Sequence, residues 1–136
     1  MAKKILVIDD DVLVLRTLKK LLTREGYLVE TAKEAQDVNQ AVEKIRNTSS
    51  DDFNLIICDI RMPGTDGTEL IAQIKESRRN ENKPEVPVIF ITGYANEEAS
   101  NKAIKLGAKD YVLKPFDIDK LLISVKSSLE NGHARA

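Results

Sequence analysis

The chain has 136 residues, with 21 Lys and Arg against 22 Asp and Glu and a formal charge of −1. That length holds one domain, and the even charge excludes a general electrostatic binder of nucleic acid, which would be clearly basic. A hydrophobic content of 42% excludes an unfolded chain, no apolar run approaches the ~20 residues that span a bilayer, and the single Cys58 excludes an intramolecular disulfide or cysteine-cluster zinc site.

The expectation is a soluble cytoplasmic domain over 1–130 with a short tail or linker start at 131–136, without an output domain, a membrane contact or a direct nucleic-acid contact. Ile5-Leu6-Val7-Ile8, too short for a signal-peptide core, reads as a first strand. Leu15, Leu18, Leu21 and Leu22 share the face of a first helix that Gly26 ends. Tyr27-Leu28-Val29 predicts a second strand. Thr31 to Ser50 should hold the second helix, with Val38, Val42 and Ile45 as its apolar stripe. Leu55-Ile56-Ile57-Cys58 predicts the third strand, and Asp66-Gly67-Thr68-Glu69 resembles a capping box before the helix of Leu70, Ile71 and Ile74. Arg78 to Pro84 reads as a surface loop. Val88-Ile89-Phe90-Ile91 predicts the fourth strand. Asn96-Glu97-Glu98 opens the fourth helix, which Gly107 stops. Tyr111-Val112-Leu113 predicts the fifth strand, and Ile118, Leu121, Leu122, Val125 and Leu129 form the stripe of the fifth helix after Asp117. Continuous β-branched runs between helical patterns predict an α/β fold: a doubly wound (βα)5 parallel sheet with helices on both faces.

In open α/β sheets, ligands sit beyond the carboxyl ends of the strands. Here the first strand ends in Asp9-Asp10-Asp11, the third in Asp59, the fourth in Thr92-Gly93 and the fifth in Lys114-Pro115. Singly, each has a plain reading: the first acids cap a helix, Asp59 makes a turn, Thr92 packs, Lys114 is solvated and Tyr111 fills the sheet edge. Four strand ends in order read as a site. Crowded carboxylates repel unless a cation is present, and Mg²⁺ suits one or two carboxylates plus phosphate oxygens. A carboxylate can form an aspartyl phosphate, with Lys114 and the metal offsetting charge on the transferring group. Cys58 reads as inert core, and His133, in the tail, argues against histidine chemistry.

These residues resemble the receiver domains of two-component response regulators. Ile5-Leu6-Val7-Ile8-Asp9-Asp10-Asp11 is similar to the family's first strand and acidic pair, and Asp59-Ile60-Arg61-Met62-Pro63-Gly64-Thr65-Asp66-Gly67 to its phosphorylation loop. Pro87-Val88-Ile89-Phe90-Ile91-Thr92-Gly93 and Tyr111-Val112-Leu113-Lys114-Pro115-Phe116 resemble the remaining two signatures. The resemblance spans Lys3 to Leu129 and implies a flavodoxin-like sheet of order 2-1-3-4-5. It implies Asp59 as phosphoacceptor from a sensor histidine kinase or phosphotransfer protein. Mg²⁺ would be held by Asp10, Asp59 and the main-chain carbonyl of Arg61, with Asp9 acting through water. Thr92 and Lys114 would contact the phosphoryl group, the Lys114-Pro115 bond is often cis, and Tyr111 is the aromatic that swings inward.

The implied function is a phosphorylation-dependent switch, not an enzyme beyond self-phosphorylation and self-dephosphorylation. It would change the surface of the fourth helix, fifth strand and fifth helix for a downstream protein or an output domain, with Lys102, Lys105, Lys109 and Lys120 exposed there. The chain would be monomeric or a weak phosphorylation-dependent dimer. Arg61 and Tyr94 stand where the family tunes access of hydrolytic water, and their bulk should slow dephosphorylation. The segment Lys33 to Gln40 departs from the family pattern by lacking a glycine near the start of the second helix. Three alternatives stand beside this reading: a phosphorylation-independent adaptor, an aspartyl-phosphate phosphatase of the haloacid-dehalogenase type using Asp9 and Asp11, and a flavin-binding domain. The full acid, Thr92 and Lys114 set argues against the first. The absence of room for a cap domain and the unexplained Asp59 motif argue against the second, and the lack of a phosphate-cradling loop or aromatic sandwich against the third.

Overall fold

Five short strands lie side by side in parallel. In a computed structural model, which describes residues 2–34, 36–40, 53–93 and 96–131, they are β1 (Lys4–Ile8), β2 (Leu28–Ala32), β3 (Leu55–Asp59), β4 (Val88–Thr92) and β5 (Asp110–Leu113). Their order across the sheet is β2-β1-β3-β4-β5, as the resemblance implies. The helices are α1 (Val12–Arg24), α2, described over 36–40, α3 (Gly67–Asn80), α4 (Glu97–Lys105) and α5 (Ile118–Asn131).

The strands are continuously apolar because both faces of the sheet are covered. Alternate side chains point to opposite faces, so the core divides in two. Ile5, Val7, Leu55, Ile57, Ile89 and Ile91 pack with Leu15, Leu18 and Leu22 of α1 and Leu121, Val125 and Leu129 of α5. Leu6, Ile8, Ile56, Cys58 and Phe90 pack on the other side with Val38, Leu70, Ile71 and Ala103.

The ends of the helices follow local chemistry. Asp11 caps α1 by accepting from the amides of Leu13 and Val14, and Asn96 caps α4 through the Ala99 amide. Asp117 accepts from the Asp119 and Lys120 amides at the start of α5. Gly26 and Gly107, each with positive φ, follow the ends of α1 and α4 as expected.

Several boundaries differ from the expectation. The helix α3 runs to Asn80, so the anticipated Arg78–Pro84 loop is helical over its first three residues. Its last turn is polar and solvated, and therefore carries no apolar signal. The chain leaves it through Asn82 at φ 57, and Arg78 donates from Nε and Nη2 to the Pro84 carbonyl at 3.0 and 2.8 Å. The strand β2 extends through Thr31 and Ala32, residues assigned from sequence to the second-helix segment. Val38 is buried, whereas Val42, Ile45, Tyr94 and the tail 132–136 lie outside the described residues. A two-stranded antiparallel ribbon, Arg61–Met62 with Thr65–Asp66, was not anticipated.

Candidate functional site

The three acids after β1 divide their work. Asp11 points outward and caps α1. Asp10 is half-buried. Asp9 is fully buried: its Oδ1 accepts from the Asp11 amide at 2.9 Å. Its Oδ2 lies 2.7 Å from Lys114 Nζ in an ion pair.

Asp59 ends β3, the neighbour of β1. Carboxylate oxygens of Asp9, Asp10 and Asp59 all come within 4.8 Å of one another. Asp59 Oδ2 accepts from Lys114 Nζ at 3.2 Å, and Oδ1 accepts from the Arg61 amide at 3.3 Å. Lys114 reaches the acids because its amide donates to the Thr92 carbonyl at 2.7 Å, which continues the β4–β5 pairing past the strand end. The Lys114-Pro115 bond is cis.

Charge sets the protonation of the group. Burial first, and Asp9 second, push the Asp59 carboxyl up to about 6, although Lys114 and the Arg61 amide pull the other way. Burial draws the Lys114 ammonium down, but Asp9 and Asp59 together outweigh it and the net displacement is upward. Three carboxylates facing one ammonium leave a surplus of negative charge. Three carboxylate oxygens within 4.8 Å of one another make a donor set that fits a hard divalent cation.

Thr92 is buried at the end of β4. Tyr111, opposite Phe90 in the register, is half-buried, and its hydroxyl is enclosed without a hydrogen-bond partner among the described residues. Arg61 is exposed on the ribbon. In front of Thr92 a cavity of about 560 Å³ opens between the ribbon and α4, with Met62, Thr68, Asn96 and Lys102 among its walls. Lys102 reaches Asp66 and Glu98, both at 3.9 Å. Of the four lysines expected to be exposed on the neighbouring surface, Lys109 is half-buried, because its amide is tied to Val88 at the start of β4.

Gly67 is a site residue whose role the sequence reading missed. Its amide donates to the Ile60 carbonyl at 2.7 Å, and a Cβ there would collide with the carbonyl oxygen of Asp59 and stand 2.9 Å from its carbon. The start of α3 thus packs directly on the backbone of Asp59. The Asp-Gly pair in the loop was the available signal. Cys58 is buried core, with burial and the charges of Asp59 and Asp9 raising its thiol pKa.

A parallel α/β sheet with strand order 2-1-3-4-5, whose carboxyl edge gathers acids and a lysine, defines a flavodoxin-like domain with an acidic pocket at the topological switch point. The chain belongs to the response regulator receiver domain family, whose sequence profile matches residues 5–126, and so to the receiver domains of two-component signal transduction. It is 38% identical over 131 residues to the transcriptional regulatory protein ZraR of Klebsiella oxytoca, covering 96% of this chain and 27% of that protein. It is 35% identical over 129 residues to the transcriptional regulatory protein ResD of Bacillus subtilis, covering 95% of this chain and 49% of that protein. A CheY-like response regulator receiver domain protein from Methanospirillum hungatei superposes with a TM-score of 0.82 at 34% identity, over 100% of both chains. The chain therefore spans half or less of the length of these two curated relatives. Among the described residues no helix is long and apolar enough to cross a membrane.

Proposed function

We propose that the chain is a phosphorylation-controlled switch in which Asp59 accepts a phosphoryl group from the phosphohistidine of a sensor histidine kinase or phosphotransfer protein. The observation that carries this reading is Lys114, whose ammonium stands 3.2 Å from Asp59 and 2.7 Å from buried Asp9. A cation is thereby fixed where the transferring group would bring negative charge. In the transfer, an Asp59 carboxylate oxygen bonds to phosphorus as the phosphorus–nitrogen bond breaks, and the released imidazole takes up a proton. Lys114 then turns from the Asp59 oxygen to a phosphoryl oxygen, and the Thr92 hydroxyl donates to another.

Asp10, Asp59 and the main-chain carbonyl of Arg61 would hold Mg²⁺, with Asp9 assisting through water. When bound, the ion supplies the positive charge that lets carboxylate and phosphoryl group approach. Asp9 keeps Lys114 oriented in both states.

Movement of Thr92 toward the phosphoryl group draws Tyr111 inward. The change is read at the α4–β5–α5 surface by a downstream protein or an output domain, and exposed Ile104, Leu113 and Ile123 on those three elements support that surface. The only chemistry is self-phosphorylation from donors and self-dephosphorylation, the latter slowed by Arg61 and Tyr94. Replacing both with small residues should shorten the phosphoryl lifetime, and an unchanged lifetime would remove them from that role.

The test is intact mass after incubation with Mg²⁺ and a small acyl phosphate. The parent should gain one labile phosphoryl group and Asp59→Asn none. No gain in a folded parent would leave a phosphorylation-independent adaptor, and a labelled variant would transfer the role to another aspartate.

A further inference from the structure

Away from the acidic pocket, a small cavity of about 50 Å³ lies against α3, with Ile56, Ile74 and Val88 in its floor and Lys75, Arg79 and Glu85 at its rim. Ile56 and Val88 are register partners near the starts of β3 and β4, so the cavity lies toward the opposite end of the sheet from Asp59 and Thr92. Lys75 is half-buried and makes no hydrogen bond or ion pair among the described residues. Burial draws its ammonium pKa down. Glu85 alone opposes this, while Arg79, Lys109 and Arg78 reinforce it. The rim therefore carries more cations than Glu85 offsets. The wall is also preformed: Arg78 binds the Pro84 carbonyl and so ties the segment after α3 to the helix, which lowers the ordering cost of any occupant.

The size of the cavity discriminates between occupants. Small-molecule sites enclose roughly 300–1,000 Å³, so this one takes a single apolar group and not a whole ligand. Nucleic acid fits poorly, because no aromatic ring lines the cavity for stacking and Glu85 interrupts the basic rim. An apolar anchor flanked by carboxylates matches both the floor and the charge.

We propose that this face of α3 is a docking point for an acidic peptide segment of a partner protein, which seats one apolar side chain over Ile56, Ile74 and Val88 and sets its carboxylates against Lys75 and Arg79. The contact uses none of the phosphoryl-transfer residues, so it stands or falls independently of the proposed switch.

A labelled short peptide of Asp and Glu around a central Leu, titrated into the full chain by fluorescence polarisation, tests this. Binding should be saturable and should weaken as salt rises. It should fall about tenfold when the peptide Leu is replaced by Ser, and about tenfold with Lys75→Glu or Arg79→Glu. Arg79 is exposed, so Arg79→Glu keeps the test valid should Lys75→Glu disturb folding. Equal binding by Arg79→Glu, equal binding of the Ser peptide, tighter binding of a short DNA duplex, or self-association abolished by Arg79→Glu would each overturn the proposal.

Discussion

Asp59 combines a buried position with the neighbouring Asp9 carboxylate, and that combination sets its response to pH. Its folded-state pKa of about 6 lies above the ordinary 3.8. The stability linked to it is therefore fully present below the unfolded-state value and is lost as pH rises through about 6. In metal-free protein, Asp59→Asn should exceed the parent in stability by roughly 1–3 kcal/mol at neutral pH, with the difference closing toward about pH 4. Urea unfolding with chelator present checks this, and a pH-independent difference would contradict it. Added Mg²⁺ should narrow the gap by stabilising the parent. That Asp9, Asp10, Asp59, Thr92 and Lys114 gather at one edge was legible, because each ends an apolar run on a parallel sheet. How Asp9, Asp10 and Asp11 divide between burial, pocket and cap was not. It depends on a lysine 55 residues beyond Asp59 in the chain.

Among the elements, the join between β3 and α3 is close-packed. Gly67 starts α3 against the Asp59 carbonyl, while Asp66 caps the helix by accepting from the Thr68 amide at 2.8 Å and the Thr68 hydroxyl at 2.6 Å. Burial alone would raise the Asp66 pKa, but these bonds and Lys102 lower it, so the cap stays ionised. Gly67→Ala must push α3 or the Asp59 backbone aside. We expect a loss of about 1–3 kcal/mol and acyl-phosphate uptake slowed at least about tenfold, since small misplacements of reacting groups are costly. Gly93→Ala is the control: its Cβ would meet Lys114 Cβ at 3.9 Å, an ordinary contact, and should cost well under about 1 kcal/mol. Thermal melts and phosphorylation rates measured together would decide, and equal behaviour of the two variants would refute the close-packing account. The strands and long helices were legible from apolar periodicity and end signals. The two-residue ribbon and the last turn of α3 were not, since neither carries an apolar repeat.

Over the whole molecule, the sheet separates the acidic pocket at one end from the cation-rimmed cavity toward the other, and α4, β5 and α5 present Ile104, Leu113 and Ile123 to solvent. If phosphorylation acts through Thr92 and Tyr111, amide spectra with Mg²⁺ and acyl phosphate should shift along Glu97–Lys105, Asp110–Leu113 and Ile118–Asn131. Shifts confined to the loops around Asp59 would contradict that coupling. The sequence by itself determined the parallel α/β architecture, the edge that carries the site and the residue types there, because strand length, two-sided burial and helix stops are local properties. Only the tertiary structure decided that Lys114 bridges Asp9 and Asp59, that the start of α3 packs on the Asp59 carbonyl, and that Lys75 stands beside an apolar cavity. Those facts are distances between different elements, which apolar periodicity and helix-end signals do not encode.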